Sequence, residues 1–550
     1  MSSVALFAPI VLPTAAAVFT ASCGLAGLDI GRAPLAVGMW AAIAALVVLW
    51  APVRSSQEIS LGPLGFGAGL DLRLDAVGFA FGLLVLVPAA ILMTLQPRTW
   101  QEGSVAGLGA AAAILAVEAG GVLLTAVAGG TAATLAVIQL DIEDVRAPRP
   151  SWGMMLAAWL ALSWAGAVLQ VRGGTAIYAA VPVAALTVPV SMLLVFAALL
   201  ASGLFPWRGW ASPLWSRPSL RGAGMAVATL YPLGFYLLVR AYEQGDGRYP
   251  SSIFNVALSA LGVLVAFAAA ARAQSAETRR EYLAEVIPGL GGFALLGIGL
   301  GTPLGLVAGM ATLVMAALMT ACLPLLPDRA GPASLVAIAA AAGLPPGLAF
   351  GARVLGLEAT FETGDLLGLI GIAGAATWVV SMMAAARAVG LPAGRGHAAS
   401  ETSPWTAMGV AAFTVVVGPA LALVLTAIAF PAQAEVMATP PGSLAGGVIS
   451  VVTVSTVLPA LTLLAPLLVL GVLAYLAAGA VPVRGQQMPP LFALPGTTTI
   501  DRWREGIRSA ALPEQYRSLL NPRALEAAAT SGGPMLWLAA LVALTFAITR

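Results

Sequence analysis

Residues 203–210 read GLFPWRGW and residues 343–353 read GLPPGLAFGAR. Each is a glycine-proline interruption in an apolar run, and proline both removes a helical hydrogen bond and clashes with the turn before it. The two occupy the same place, the fourth member, in two successive groups of five apolar segments. Matching breaks in two halves are the sequence mark of an inverted-repeat transporter with its pathway near the broken helices. An odd number of spans in each group makes the groups antiparallel. At Pro206 the break reads equally as the end of a helix at the membrane surface, whereas Pro345 and Pro346 sit deeper in their run and imply a true discontinuity.

The apolar segments around these breaks define the class. Of 550 residues 60% are hydrophobic and 9% charged, and mean hydropathy is +0.95; soluble domains carry about 25% charged residues. A spanning helix needs about 20 mostly apolar residues. Sixteen such segments lie near 4–26, 33–51, 75–96, 105–127, 129–142, 152–171, 184–204, 219–241, 252–272, 283–300, 303–326, 333–356, 365–387, 405–430, 446–478 and 534–549. Residues 4–26 lack a basic stretch ahead of the apolar run and read as a first span, not a cleaved signal. The expectation is an all-α polytopic membrane protein of about 14–16 transmembrane helices, with two inverted five-helix repeats and broken helices. Its parts are N-terminal helices over 1–104, repeats over 105–241 and 252–387, and C-terminal helices over 388–550.

Charge excludes some partners and orients the chain. Net charge is +2, and no basic tract is interleaved with aromatics, so nucleic acid is not an expected partner. All 26 basic residues are arginine. Alternating the connections places nineteen arginines on one side and seven on the other, the seven being Arg54, Arg73, Arg172, Arg240, Arg248, Arg353 and Arg550. Cytoplasmic loops collect basic residues. The arginine-rich side is thus expected in the cytoplasm, with both termini on the non-cytoplasmic side of the inner (plasma) membrane.

Four stretches in order then carry a resemblance. Residues 72–79 (LRLDAVGF) are similar to the opening of a third span in the antiporter-like membrane subunits of respiratory complex I, formate-hydrogenlyase-type membrane-bound hydrogenases and Mrp-type cation antiporters. GLFPWRGW resembles that family's Gly-Leu-Phe-Pro-aromatic-His-x-Trp signature, with Arg208 where histidine is usual. Residues 293–313 (FALLGIGLGTPLGLVAGMATL) and GLPPGLAFGAR resemble two later family regions. The resemblance covers roughly residues 70–390 and implies an antiporter-like fold, a lipid-bilayer setting, and partnership with other membrane and redox subunits of a multisubunit complex. It also implies a proton relay: a Glu paired with a Lys, a central Lys or His, and a Lys or Glu at the second broken helix.

Carried over position by position, that relay is mostly neutral here. The first Glu falls on Gln139, its lysine partner on Ala201 or Ser202, the next residue on Tyr231 or Pro232, and the central lysine on Met319 or Thr320. Only the last position keeps a charge, as Arg353, and arginine stays protonated at any relevant pH. An arginine preference explains missing lysines on the surface but not neutral residues at these interior positions.

The remaining titratable candidates are few. Glu118 lies deep in the fourth span, where a carboxylate is costly and functional by default; the alternative is a protonated Glu hydrogen-bonded inside the bundle. Asp141, Glu143 and Asp144 read either as stand-ins for the missing carboxylate or as a solvated acidic helix end neutralised by Arg146 and Arg149. Arg272, Glu277, Arg279, Arg280, Glu281 and Glu285 read as a loop ion network suited to docking. Cys23 and Cys322 read as small core residues, and His397 lies in a glycine-rich loop. No nucleotide loop, zinc spacing or cysteine cluster is present, so no catalytic group, metal or cofactor is expected and redox chemistry belongs to partners. A polar amphipathic segment near 499–528 reads as a broken lateral helix or as a linker on the headgroups. Two functions follow: a translocating subunit with a reduced path, or a non-conducting scaffold that keeps the fold. A stand-alone cation transporter is the third.

Overall fold

The computed structural model describes residues 3–437 apart from 29, 66–67, 97, 144–151, 205–209, 212–213, 216, 218, 327–331, 345–346, 364, 393–403 and 417–420. Two apolar helices open the chain, α1 (Ala8–Leu25) and α2 (Ala33–Trp50). A hairpin follows, β1 (Gln57–Gly65) paired antiparallel with β2 (Ala68–Leu74), with Glu58 opposite Arg73. Asp75 then starts α3 (Ala76–Leu95), its carboxylate accepting from the Gly78 amide at 2.7 Å, a standard way of satisfying an orphan N–H at a helix start.

The next helices depart from the expected boundaries. Thr99 and Glu102 form a capping box at the head of α4 (Trp100–Glu118), and α5 (Val122–Glu143) begins after three intervening residues. The break therefore falls inside the segment expected as the fourth span. Residues Ala119 to Gly121 are bonded on both sides: Gly120 donates to the Asp71 carbonyl at 2.7 Å, and its own carbonyl accepts from Tyr178 at 2.9 Å. A Cβ at Gly120 would stand 3.0 Å from the Asp71 backbone oxygen, so only glycine admits the hairpin this closely.

Then come α6 (Trp152–Gly173), α7 (Val188–Ala201), α8 (Arg221–Gln244), α9 (Ser252–Ser275), α10 (Arg279–Ala284), α11 (Val286–Gly299) and α12 (Pro303–Cys322). Beyond them lie α13 (Pro332–Ala342), α14 (Leu348–Glu362), α15 (Asp365–Gly390), α16 (Pro404–Val416), α17 (Leu421–Val424), a π-helical turn over Leu425–Ala429, and α18 (Phe430–Met437). Among the described residues ten helices are long and apolar enough to cross a membrane, and α7 and α13 are shorter apolar helices. The spans expected over 446–478 and 534–549, and the segment near 499–528, lie outside the described residues.

The core is built on α8 and α12, whose apolar windows are wholly buried. Small residues let the helices beside them approach one another. On α9 a Cβ at Gly262 would stand 2.4 Å from the Leu296 amide, and on α11 a Cβ at Gly292 would stand 2.5 Å from that of Ala266. Lipid-embedded helices gain little from hydrophobicity against one another, so such backbone contact supplies their packing.

Candidate functional site: two capped helix breaks and a buried ion network

Helices α7 and α13 end in the same way. Gly203 and Gly343 take φ of 65° and 75°. After α7, Leu204 donates to the Leu199 carbonyl at 3.3 Å and Gly203 to that of Leu200 at 3.1 Å; after α13, Leu344 donates to Ala339 and Gly343 to Ala340, both at 3.2 Å. This is the six-to-one and five-to-two closure of a Schellman cap, for which glycine is needed. An indole reaches the last carbonyls of both. Trp210 Nε1 donates to Leu200 and Ala201 at 3.2 and 3.1 Å, and Trp378 Nε1 donates to Ala342 at 3.0 Å. Pro206, Pro345 and Pro346 lie outside the described residues. The second break continues as α14, in keeping with the discontinuity expected there.

Charge distinguishes the breaks. Arg353, in the second turn of α14 and 4% exposed, donates to the Ala341 carbonyl at 2.9 Å and also to that of Ala342. Its guanidinium lies 4.6 Å from the Phe293 ring centroid and 5.7 Å from that of Trp378. Among the described residues no carboxylate pairs with it, so the negative end of the α13 dipole and two aromatic faces hold this cation. At the first break Ser202 is neutral; its hydroxyl donates to the Leu199 carbonyl at 3.0 Å, and the side chain is fully buried.

The other expected path residues are dispersed. Glu118 is 2% exposed, but it is the last residue of α4 and so lies at a helix end, a correction to its expected place deep in a span. Neither of its carboxylate oxygens has a hydrogen-bond partner among the described residues, which departs from the hydrogen-bonded alternative. Gln139 is buried on α5 with its Nε2 likewise unpartnered there. Asp141 is partly buried near the end of α5.

Glu143 departs from the solvated helix end. Its side chain is 2% exposed, and it accepts from the Gly222 amide at 2.9 Å and from the Ser219 hydroxyl. A carboxylate at the positive N-terminus of α8 is a favourable placement. Arg217 reciprocates with a 3.0 Å bond to the Leu140 carbonyl at the end of α5. Arg146, Arg149 and Asp144 lie outside the described residues.

Tyr231 and Thr320 are brought together. They line one cavity of about 10 Å³ with Pro88 and Pro232, room for one water at most. Their hydroxyls already donate to backbone, Tyr231 to Ile287 at 3.1 Å and Thr320 to Ala316 at 2.8 Å.

Sequence reading missed the densest charged group. Asp75, fully buried, accepts from both terminal nitrogens of Arg240 at 2.6 and 2.9 Å and lies 2.9 Å from Arg73 Nε. Arg240 also binds Glu243 at 2.6 Å, and Arg73 reaches Glu243 at 3.0 Å, Glu435 at 3.1 Å and Glu58 at 3.4 Å. Arg240 itself is 1% exposed and stacks 5.0 Å from the Tyr236 ring centroid. Burial pushes the Asp75 carboxyl up, but Arg240, Arg73 and the Gly78 amide overcome it and hold the group below the usual carboxylate range. Burial and the neighbouring Asp75 push the Glu435 carboxyl up against the pull of Arg73. Carboxylate oxygens of Asp75, Glu243 and Glu435 lie within 4.8 Å of one another, a spacing that fits a cation; the two guanidiniums already stand among them. The network ties the hairpin, α3, α8 and α18 together. The signal for it was an arginine in the apolar run of α8, a costly placement that demands a partner.

No protein-family model and no curated protein matches the sequence. Solved structures do match. A chain of the Mrp complex from Dietzia sp. aligns with TM-score 0.66 and 20% identity over 100% of this chain and 63% of that one. This chain thus spans less than two thirds of that protein's length. A chain of respiratory complex I from Thermus thermophilus with bound NADH aligns with TM-score 0.62 and 18% identity over 81% and 100%. A chain of the membrane-bound sulfane sulfur reductase, an archaeal respiratory membrane complex, aligns with TM-score 0.63 and 16% identity over 99% of each. At these identities the likeness is one of fold, and the fold is the antiporter-like one that the sequence motifs imply.

Proposed function

We propose that the chain is an antiporter-like membrane subunit of a multisubunit energy-converting complex of the complex I or membrane-bound hydrogenase kind, and that proton translocation through it is reduced. It sits in the inner (plasma) membrane with both termini on the non-cytoplasmic side, and residues 105–241 and 252–387 act as its inverted halves. The observation that carries this reading is the pair of Schellman-capped breaks, one neutral at Ser202 and one holding the buried cation Arg353. Half-helix ends that face the interior are where membrane transporters bind charge. Glu118, buried with both carboxylate oxygens unpartnered among the described residues, is the carboxylate best placed to carry a proton in the first half.

A non-conducting scaffold is favoured by one observation. The Tyr231 and Thr320 hydroxyls already donate to backbone, and the cavity between them holds one water at most, too little for a continuous water chain.

Native mass spectrometry of membranes solubilised in mild detergent tests the subunit assignment. We expect this chain to leave in a fixed ratio with other multi-pass and redox subunits. A chain recovered only by itself, with ion transport of its own in proteoliposomes, would instead make it a stand-alone transporter.

A further inference from the structure

A cavity of about 960 Å³ lies between the end of α2, the start of α3 and the chain from α17 to α18. Pockets that enclose a whole small molecule are of this size, about 300–1,000 Å³. Its three walls run in one direction. The first passes from Val47 through Trp50 to Arg54, the second from Leu83 through Phe79 to Ala76, and the third from Leu423 through the π-helical turn to Glu435. The Trp50 and Phe79 rings stack at 5.6 Å, and Glu435 accepts from Arg73, just before Ala76, at 3.1 Å, so Arg54 and Glu435 stand at the same end. The hydroxyl of Thr426, midway along, donates to the Leu423 carbonyl at 3.3 Å. The cavity is thus charged where α3 begins and apolar at its other end, where Val47 and Leu423 are 39% and 67% exposed. A helix rises about 18 Å between positions as far apart as Leu423 and Glu435, close to the depth of one leaflet's hydrocarbon, about 15 Å.

Charge selects the occupant. Arg54 closes the end of α2 with φ of 46°, its amide donating to the Trp50 carbonyl at 2.9 Å; it is exposed and has no acidic partner among the described residues. Glu435 belongs to the network in which Glu58, Asp75, Glu243 and Glu435 meet Arg73 and Arg240. Acids are in excess there, Glu435 is the one that faces the cavity, and a carboxylate has room for further donors beyond one bond. We infer that the cavity holds one phosphatidylethanolamine molecule, with its phosphate on Arg54, its ammonium on Glu435 and an acyl chain lying along Trp50 and the π-helical turn. Such turns are rare and occur mostly at functional sites. An anionic lipid without an amine would bring its charge against the surplus acids, and an uncharged isoprenoid would leave Arg54 unmatched. The ammonium would also offset the push on the Glu435 carboxyl from burial and Asp75. The inference needs the bilayer setting alone and stands whether or not the chain moves protons.

Photolabelling tests it, on the full chain with its copurifying subunits in vesicles of equimolar phosphatidylethanolamine and phosphatidylglycerol. A trace of one lipid or the other carries a diazirine in its acyl chain, and labelled peptides are mapped by mass spectrometry. The peptide holding Leu423 to Ile428 should take the ethanolamine probe over the glycerol probe on the order of three-fold, the discrimination that one partly exposed ion pair supplies. The exposed face of α15, where Leu369 and Ile372 are 62% and 56% exposed, should show no preference and reports ordinary bilayer lipid. Ala427→Trp, at an exposed position of the π-helical turn, fills the cavity and should abolish the preference at that turn. Arg54→Gln should lower labelling of the same peptide by a similar factor, and Arg172→Gln, at another exposed arginine, should leave it unchanged. Equal labelling by the two probes, a preference for the glycerol probe, or a preference that survives Ala427→Trp overturns the inference. So does an unlabelled wall, the result if another part of the chain fills the cavity.

Discussion

Arg240 and Asp75 decide how the charged end of α8 is held. The pair is bidentate and both partners are buried, at 1% and 0% exposure. Removing one partner of a buried pair strands the other charge and costs about 3–5 kcal/mol, whereas replacing both with apolar groups is often neutral. We expect Asp75→Asn to lower unfolding free energy in detergent by about that amount, and Asp75→Asn with Arg240→Leu to recover a large part of it. Equal losses in the single and double variants would mean that Arg73 and Glu243 hold the end of α8 without Asp75. The sign with pH follows from the lowered Asp75 carboxyl: its contribution is present above the ordinary carboxylate range and is lost as pH falls through its lowered value. Asp75 was legible as part of a motif stretch, but its partner Arg240 stands 165 positions further on, beyond the reach of local pattern.

At the scale of elements, the breaks were legible and the helix boundaries less so. Glycine followed by proline in an apolar run identifies a stop, and the φ values of Gly203 and Gly343 bear out that stop for both helices. The Gly120–Gly121 pair, also in an apolar run, looks no different in sequence from mid-span glycines; its role comes from the hairpin and from residues 176–178, which pair with it on either side. That is why Glu118 lies at a helix end and not within a span. The crossing of α7 and α8 offers a direct test of close approach. A Cβ on Gly234 would stand 2.1 Å from the Ser202 amide nitrogen and 2.4 Å from its Cα, so Gly234→Ala must push backbone apart. We expect a loss of about 1–3 kcal/mol by thermal unfolding, the usual range for overpacking; a variant as stable as wild type would show that α7 moves freely against α8.

For the whole molecule, composition and hydropathy suffice for a polytopic helical membrane protein, and four ordered motifs suffice for its antiporter-like fold. The charge layout was harder to read. Arginines such as Arg217, Arg279 and Arg387 were counted as loop charges, yet each is buried and donates to backbone carbonyls, Arg279 to Val389 and Leu391 at 3.1 and 3.2 Å. A guanidinium with five donors can stitch helix ends in this way where a lysine ammonium offers less geometry, a physical use for an all-arginine chain that counting by loop does not reveal. The mapped relay positions Gln139, Ser202 and Thr320 are neutral, which leaves Glu118 and Arg353 as the buried candidate charges of the proposed path. The most direct test is proton movement per turnover of the reconstituted complex, compared between wild type and a variant carrying Glu118→Gln with Arg353→Ala. A reduced translocation path predicts a lower stoichiometry at comparable redox turnover, and an unchanged stoichiometry would contradict it and leave this chain a scaffold.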